Sequence, residues 1–526
     1  MKKITYICDD KTDSNFDLAF NKKKADERKL WLEKYDKQVV LDYTVKEVTY
    51  DDFVNKDLIH FSNYDVERSI PNMMDGQKIS QRKILFCCFK RNLTDKEIKV
   101  AQLAAYVSEN SSYHHGEASL QSTIVGMAQD FIGANNINLL KPNGQFGSRA
   151  HGGSDAGQPR YIYTLLSNLC NKIFIKDDQN ILTYLNDDGL DIEPEYYMPI
   201  IPMILVNGAL GIGTGFSTNI PCYNPKDIIG LLKRIMDGDD ISEVEMIPWY
   251  NGFNGSIEKI KGKYFSRGRF AKASATKIEV TELPIGTWTF DFKCLLEDLI
   301  DKFPNNIKGY ENNSSNVNIK FMINFGNSDV VDNYLKIESN GLTKFENDFK
   351  LATSKPLGTT NMYAFNSKNT IQKFESPIEI IENFYKVRLE YYQKRKDYLT
   401  AKLKYDLDIL RNKIRFIKAV VNEEIIIHKL KKASLEVRLE KDEYMKHEGT
   451  FDYITRIPVY NLTIDKVEDL EADVKKADQK YNDLMAKNII DMWKEELDVL
   501  SNDLDKHIKT STAKISIKKK LAIKEK

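Results

Sequence analysis

Tyr161 follows Arg160 directly, and both close a glycine-rich run, Gly147 to Gln158, that also carries Arg149, His151 and Asp155. An ordinary phenol ionises near pH ~10, so about one in a thousand is phenolate at pH 7, and it needs a cation or a base before it attacks phosphorus. Arg160 offers a fixed positive charge, and the glycine-rich run lets a bulky phosphodiester come close. Attack would give a phosphotyrosine ester. The released hydroxyl can attack that ester back, so the strand opens without being hydrolysed. Local context alone favours a plainer role, in which Tyr161 is one of 27 tyrosines with a half-buried, satisfied hydroxyl.

Two further clusters carry cations. Residues 68–99 hold Arg68, Lys78, Arg82, Lys83, Lys90, Arg91, Lys96 and Lys99 against Asp75, Asp95 and Glu97, a face suited to phosphate and equally to plain solvation. Tyr113, His114, His115, Gly116 and Glu117 lead into a helix with the apolar stripe Leu120, Ile124, Met127, Ala128 and Phe131. Its free N–H groups would face an anion. The paired histidines lack other ligands at metal spacing, so hydrogen bonding to phosphate or base is the favoured use. Gly211 to Gly215 lacks the spacing of a nucleotide loop, and the turn Asn186 to Glu195 has Tyr184 where a calcium loop needs its first oxygen.

Holding these groups requires a large frame. The chain has 526 residues, 42% hydrophobic and 29% charged, which is more than one core can hold; about three or four domains are expected. Basic and acidic residues balance at 77 each, so any nucleic-acid surface must arise from local segregation of charge. The six cysteines form no C-x-x-C pair, which argues against a zinc site or disulfide framework and for a reducing compartment. No apolar run approaches the roughly 20 residues of a membrane span, and the start has no apolar signal core. An intracellular protein without a membrane partner is expected.

Along the chain, residues 1–36 read as a connector. Residues 37–220 alternate amphipathic segments with glycine turns and contain the chemical candidates; an apolar helix is expected to open at Ile162, with Tyr161 in its first turn. Residues 221–370 carry strand-like runs, Lys277 to Thr281 and Val317 to Ile323, of an α+β domain. Ser376, Pro377 and Glu379 make a capping box that starts a long helix. Leu403, Leu407, Leu410, Ile414, Ile417 and Val421 form one heptad seam, and Val467, Leu470, Val474, Ala477, Tyr481 and Leu484 a second. Residues 371–510 are therefore expected to form an antiparallel coiled-coil arm with a globular tip, and 511–526 a frayed basic tail.

Several ordered stretches share one resemblance. E-R-S-I-P from Glu67, D-G-x-K-x-x-Q-R-K from Asp75 to Lys83, Y-H-H-G-E from Tyr113, N-N-I-N-L-L from Asn135, G-Q-F-G-S-R-A-H-G-G from Gly144, P-R-Y-I from Pro159 and the run Glu193 to Gly215 resemble type IIA DNA topoisomerases of the eukaryotic and viral branch. The resemblance covers nearly the whole chain. It implies a multidomain α+β fold: a winged-helix DNA-gate domain at 37–220, a tower at 221–370, and a coiled-coil stalk ending in a C-terminal dimer gate at 371–510. It also implies an ATP-dependent homodimer that breaks both strands of double-stranded DNA through 5′-phosphotyrosyl links, passes a second duplex and religates. The nucleus, or a viral replication site in host cytoplasm, would be its place.

By the same resemblance Tyr161 and Arg160 are catalytic, and Ile212 is the wedge that intercalates and bends the duplex. Lys78, Gln81, Arg82, Lys83, His114, His115, Arg149 and His151 would contact DNA. Residues 20–32 resemble the segment just after the metal-binding TOPRIM domain. Mg²⁺ ligands and the ATP site are thus expected on TOPRIM and ATPase parts, with no metal site on this chain, which alone should bind and bend DNA but cleave it poorly. Gln77, Ile79 and Ser80 depart from the family's usual Leu, Pro and Gly; Ser154 replaces a usual lysine and Gln158 a small residue. The competing readings are a non-catalytic DNA-bending protein that dimerises through its coiled coil, and recombinase or type IB chemistry, for which a long stalk has no purpose.

Overall fold

The computed structural model describes residues 4–427 and 430–524, with side chains described as far as Lys506. The chain divides into two compact units, Met1–Val387 with Glu496–Lys526, and Arg388–Glu495.

In the first unit, the described residues 4–36 are integral, where the sequence suggested a connector. The strand Thr5–Ile7 pairs in parallel with Glu47–Thr49. Trp31 and Leu32, from the helix Ala25–Leu32, are buried with Val54, Ile59, Val66, Ile70 and Phe216. Two anchors on a short helix are too few to show periodicity, which is why the stretch reads as irregular. Helices Ile79–Lys90, Val100–Asn110 and Glu117–Ala128 then pack together, with Leu85, Leu103, Val107, Leu120 and Ile124 fully buried.

An α+β layer follows. Its antiparallel sheet runs in the order Arg269–Ser274, Lys277–Glu282, Phe321–Phe325, Ile307–Asn312. Ile278 faces Ile323 and Val280 faces Phe321 across the register, and the helix Thr289–Lys302 covers that face with Phe292 and Leu296. The second expected strand lies later than Val317 because Ser315 Oγ accepts the N–H groups of Val317 and Asn318 and holds them in a turn. The hairpin Met362–Phe365 with Ile371–Phe374 leaves this layer and bridges back to Asn72 and Asn219.

The second unit is an antiparallel arm. Ile414 and Ile417 are buried against Val467 and Leu470, with Leu410, Val421 and Val474 alongside, so the two heptad seams meet. Arg411 pairs with Asp478 at 2.8 Å and Lys418 with Glu471 at 2.6 Å, positions that run in opposite directions along the helices Pro377–Val421 and Ile464–Ala486. A small tip packs Phe416, Leu435, Leu439, Tyr444, Phe451 and Ile454. The long helix is capped much as its sequence implies. Ser376 Oγ accepts the Glu379 N–H at 3.1 Å, while the Glu379 carboxylate reaches the Glu375 N–H, one residue upstream of a regular box. The backbone of Ile489–Lys524 is helical into the basic tail, whose side chains lie outside the described residues.

Candidate nucleic-acid interface and nucleophile

Tyr161 does not open a helix. Its N–H donates to the Gln158 carbonyl in a turn, and Tyr163–Thr164 is a strand paired with Ile98–Lys99. Ile162, Thr164 and Leu166 are buried while Tyr163 and Leu165 are half-buried, a period of two. The apolar residues at 162, 165 and 166 disguise it as helical. The turn leaves Tyr161 68% exposed, with the Arg160 guanidinium 5.0 Å from its ring centre. The preceding loop is folded on itself. Asp155 accepts the N–H and hydroxyl of Ser148 at 2.8 and 2.7 Å, and the Gly157 N–H donates to the Gln145 carbonyl. Burial alone would raise the Asp155 carboxyl, but the Ser148 bonds and nearby His151 hold it below its ordinary value.

Ile212 lies on the hairpin Ala209–Ile212 with Ser217–Ile220 and is 79% exposed. Leu210, two residues earlier on the same face, is 69% exposed. It was not among the expected site residues, although A-L-G-I alternation in a strand is a readable signal for it. Gly211 between them is buried, and a Cβ there would run into the Ser69 carbonyl. The hairpin therefore sits tightly on the end of the helix Ile59–Ser69 and pushes both aliphatic side chains outward.

The basic candidates separate sharply. Arg82 is buried, donates to both Asp75 carboxylate oxygens at 2.6 and 3.1 Å, and also reaches the Gln77 carbonyl. Lys83 is buried on Glu193 at 2.8 Å and on the Ser111 carbonyl. Arg149 is buried on Glu282. These three expected DNA contacts are turned inward, because each has an internal carboxylate that repays its desolvation better than a distant phosphate could. Gln81 is half-buried, and its Oε1 accepts the Lys78 N–H at 2.9 Å, capping the helix Ile79–Lys90.

The remaining candidates face solvent or clefts. Lys78, His114 and His115 line one cleft of about 640 Å³ together with Tyr64 and Arg68. His115 is stacked on Tyr64 with ring centres 5.7 Å apart and hydrogen-bonded to its hydroxyl. Lys78 and Gln81 also line a second cleft, of about 440 Å³, whose wall includes Leu210. Burial lowers the Lys78 pKa, so the ammonium is short of solvation and gains from meeting an anion. His151 is exposed, 5.1 Å from the Phe290 ring. Tyr161 and Arg160 lie outside both clefts.

Residues 68–498 match the DNA gyrase/topoisomerase IV A-subunit family. This chain belongs to that family. Residues 1–66 match the C-terminal associated domain of TOPRIM. Among this chain's relatives, DNA topoisomerase 2 of Plasmodium falciparum is 41% identical, over 98% of this chain and 39% of that protein. The enzyme of Saccharomyces cerevisiae is 40% identical over 91% of the chain and 36% of its own length, and that of Acanthamoeba polyphaga mimivirus 39% over 91% and 43%. The chain thus spans about two fifths of the length of these relatives. The crystal structure of the Plasmodium falciparum topoisomerase II DNA-binding, cleavage and re-ligation domain matches with a TM-score of 0.85 and 41% identity, over 98% of this chain and 72% of that one. Among the described residues, no group of three or more His, Cys, Asp or Glu is placed to hold a metal, and no helix is long and apolar enough to cross a membrane.

Proposed function

We propose that this chain is the DNA-binding and cleavage core of an ATP-dependent type II DNA topoisomerase, with Tyr161 as nucleophile. The observation that carries the reading is an exposed phenol beside a guanidinium, on a turn that closes a glycine-rich loop, in a chain of this family. The Tyr161 oxygen attacks phosphorus in line and forms a 5′-phosphotyrosyl ester. Its proton passes to solvent, and the 3′ oxygen leaves and is protonated. Religation reverses each step. Arg160 offsets the charge that builds on the phosphoryl oxygens. Leu210 and Ile212 wedge together between base pairs, an unstacking cost of a few kcal/mol offset by the wider contact a bent duplex makes. Lys78, Gln81, His114, His115 and His151 meet the backbone of the DNA, and Arg82, Lys83 and Arg149 hold the bed beneath.

A duplex needs one nucleophile per strand, so the working form is a homodimer. Within the second unit, Val459 and Tyr460 are 83% and 78% exposed at the tip, a natural apolar contact for a C-terminal gate. Residues 37–220 serve as the winged-helix DNA gate, 221–370 as the tower and 371–510 as the stalk. Mg²⁺ and ATP are assigned to TOPRIM and ATPase parts of the enzyme. A nuclear location, or a viral replication site, fits the eukaryotic and viral relatives.

Peptide mapping of a DNA adduct trapped with the complete enzyme tests the reading. The DNA should be found on Tyr161, and Tyr161→Phe should bind DNA normally yet form no adduct. An adduct on another residue, or an undiminished yield from Tyr161→Phe, would leave a DNA-bending protein without this chemistry.

A further inference from the structure

The loop that leads to Tyr161 is gripped by residues that no motif singles out. Four consecutive loop residues each meet the segment 282–290 of the α+β layer. Arg149 is buried on the Glu282 carboxylate and reaches the Leu283 carbonyl at 3.3 Å. Glu282 is itself fixed, because it also accepts the N–H groups of Asn254 at 3.1 Å and Leu283 at 2.9 Å. The Ala150 carbonyl accepts the Phe290 N–H at 3.0 Å. The His151 ring packs 5.1 Å from the Phe290 ring. Gly152, with φ +61°, lies so close beneath the Trp288 indole that a Cβ would overlap it. Trp288 is in turn braced edge to face by Phe131, with ring centres 5.9 Å apart.

The grip reaches the tyrosine because the loop is folded back on itself. Asp155 ties to Ser148, Gln129 Nε2 donates to the Phe146 carbonyl, and the Gly157 N–H is bound by Gln145. A shift of residues 149–152 is therefore passed to 153–161 rather than absorbed by slack. A glycine-rich loop without such a grip would sample many conformations, and fixing it at each turnover would cost entropy. In-line attack tolerates little of that, since a misplacement of about 1 Å can cost about 100-fold in rate.

We propose that Trp288, Phe290 and Glu282 form a clasp of positioning residues that holds the 149–152 loop, and through it sets where Tyr161 and Arg160 present themselves to phosphorus. The role rests on Tyr161 being the nucleophile. It also gives the α+β layer, which carries the clasp, a mechanical link to the cleavage centre. Movement of that layer displaces Trp288 and the loop together.

Two measurements test it. Hydrogen exchange on the chain itself, comparing Trp288→Ala with the unaltered protein, should show faster exchange confined to residues 147–158. Unchanged exchange there, or faster exchange throughout the first unit, would overturn the clasp. In the complete enzyme at saturating DNA, Trp288→Ala should slow adduct formation by about 10–100-fold while DNA affinity stays level. Trp288→Phe should restore most of the rate, and Phe290→Ala, at an exposed ring, should fall between. Equal rates, or affinity falling in step with rate, would reject the positioning role. If the unaltered enzyme forms no adduct at all, Tyr161 as nucleophile fails, and the exchange result alone then decides whether the clasp holds the loop.

Discussion

Arg82 and Arg160 are the same residue type, both inside motifs of this family, and the protein uses them in opposite ways. Arg82 is sealed within the helix bed and bound to Asp75; Arg160 stands in solvent over the Tyr161 ring. The difference lies in whether a carboxylate arrives through the fold. Asp75 sits on the tight turn just before the Ile79–Lys90 helix and also accepts the N–H groups of Gln77 and Tyr197, so its position is fixed whether DNA is present or not. Among the described residues no carboxylate pairs with Arg160, and its charge is left for an outside anion.

Breaking the buried member should give the largest effect. Arg82→Ala leaves Asp75 buried and uncompensated, and is expected to destabilise the first unit by about 3–5 kcal/mol. Denaturant unfolding should show it as a large fall in midpoint. DNA affinity should fail only as far as the fold does. Arg160→Ala should do the reverse, leaving the unfolding free energy within about 0.5 kcal/mol of the starting value. Loss of its charge is expected to slow adduct formation by about 10²–10³-fold, by analogy with the loss of one oxyanion donor. A shared effect on both quantities would erase the distinction. The exposed pair Leu210 and Ile212, proposed as a wedge, makes a milder contrast. Ile212→Ala and Leu210→Ala should each reduce DNA bending, read by energy transfer between labelled duplex ends, without altering stability, and the double change should reduce it further.

How much of this could be read beforehand follows the same division. The exposed placement of Tyr161 and Ile212 was legible because glycine-rich turns flank both. The heptad seams were legible because their period is a property of sequence alone. The inward turn of Lys83 and Arg149 was not, since Glu193 and Glu282 lie 110 and 133 positions away from their partners. Local charge patterning contains nothing about such distant carboxylates. The turn and strand at 159–164 were missed for a related reason: the partner strand Ile98–Lys99 is short, polar on one side and remote in sequence. Leu210 escaped because an exposed leucine is ordinary until Ile212, on the same face of the hairpin, is found exposed beside it.

Lys78 lies between the two extremes and should give a smaller, graded effect. It is half-buried, with its pKa lowered by burial, yet it opens on two clefts. Lys78→Ala should weaken DNA binding almost uniformly across sequences and lower the slope of log affinity against log salt by about 0.9. An unchanged slope would place Lys78 with Arg82 among the internal cations.

The smallest expected effect belongs to Asp155, the anion that closes the loop rather than holding a cation in the bed. Its folded pKa is depressed, so its stabilisation is present above the unfolded aspartate value of about 3.9 and is lost as pH falls through the lower folded value. At neutral pH the staple to Ser148 is at full strength. Because the carboxylate is half-exposed, its worth is roughly 1 kcal/mol or less. The melting-temperature difference between the unaltered protein and Asp155→Asn should therefore be small, constant from about pH 5 upward, and shrinking below about pH 4. A difference that instead grew on acidification would mean the carboxyl is stabilised in its protonated form. The loop would then be held by the clasp at Trp288 without help from the charge at its own mouth.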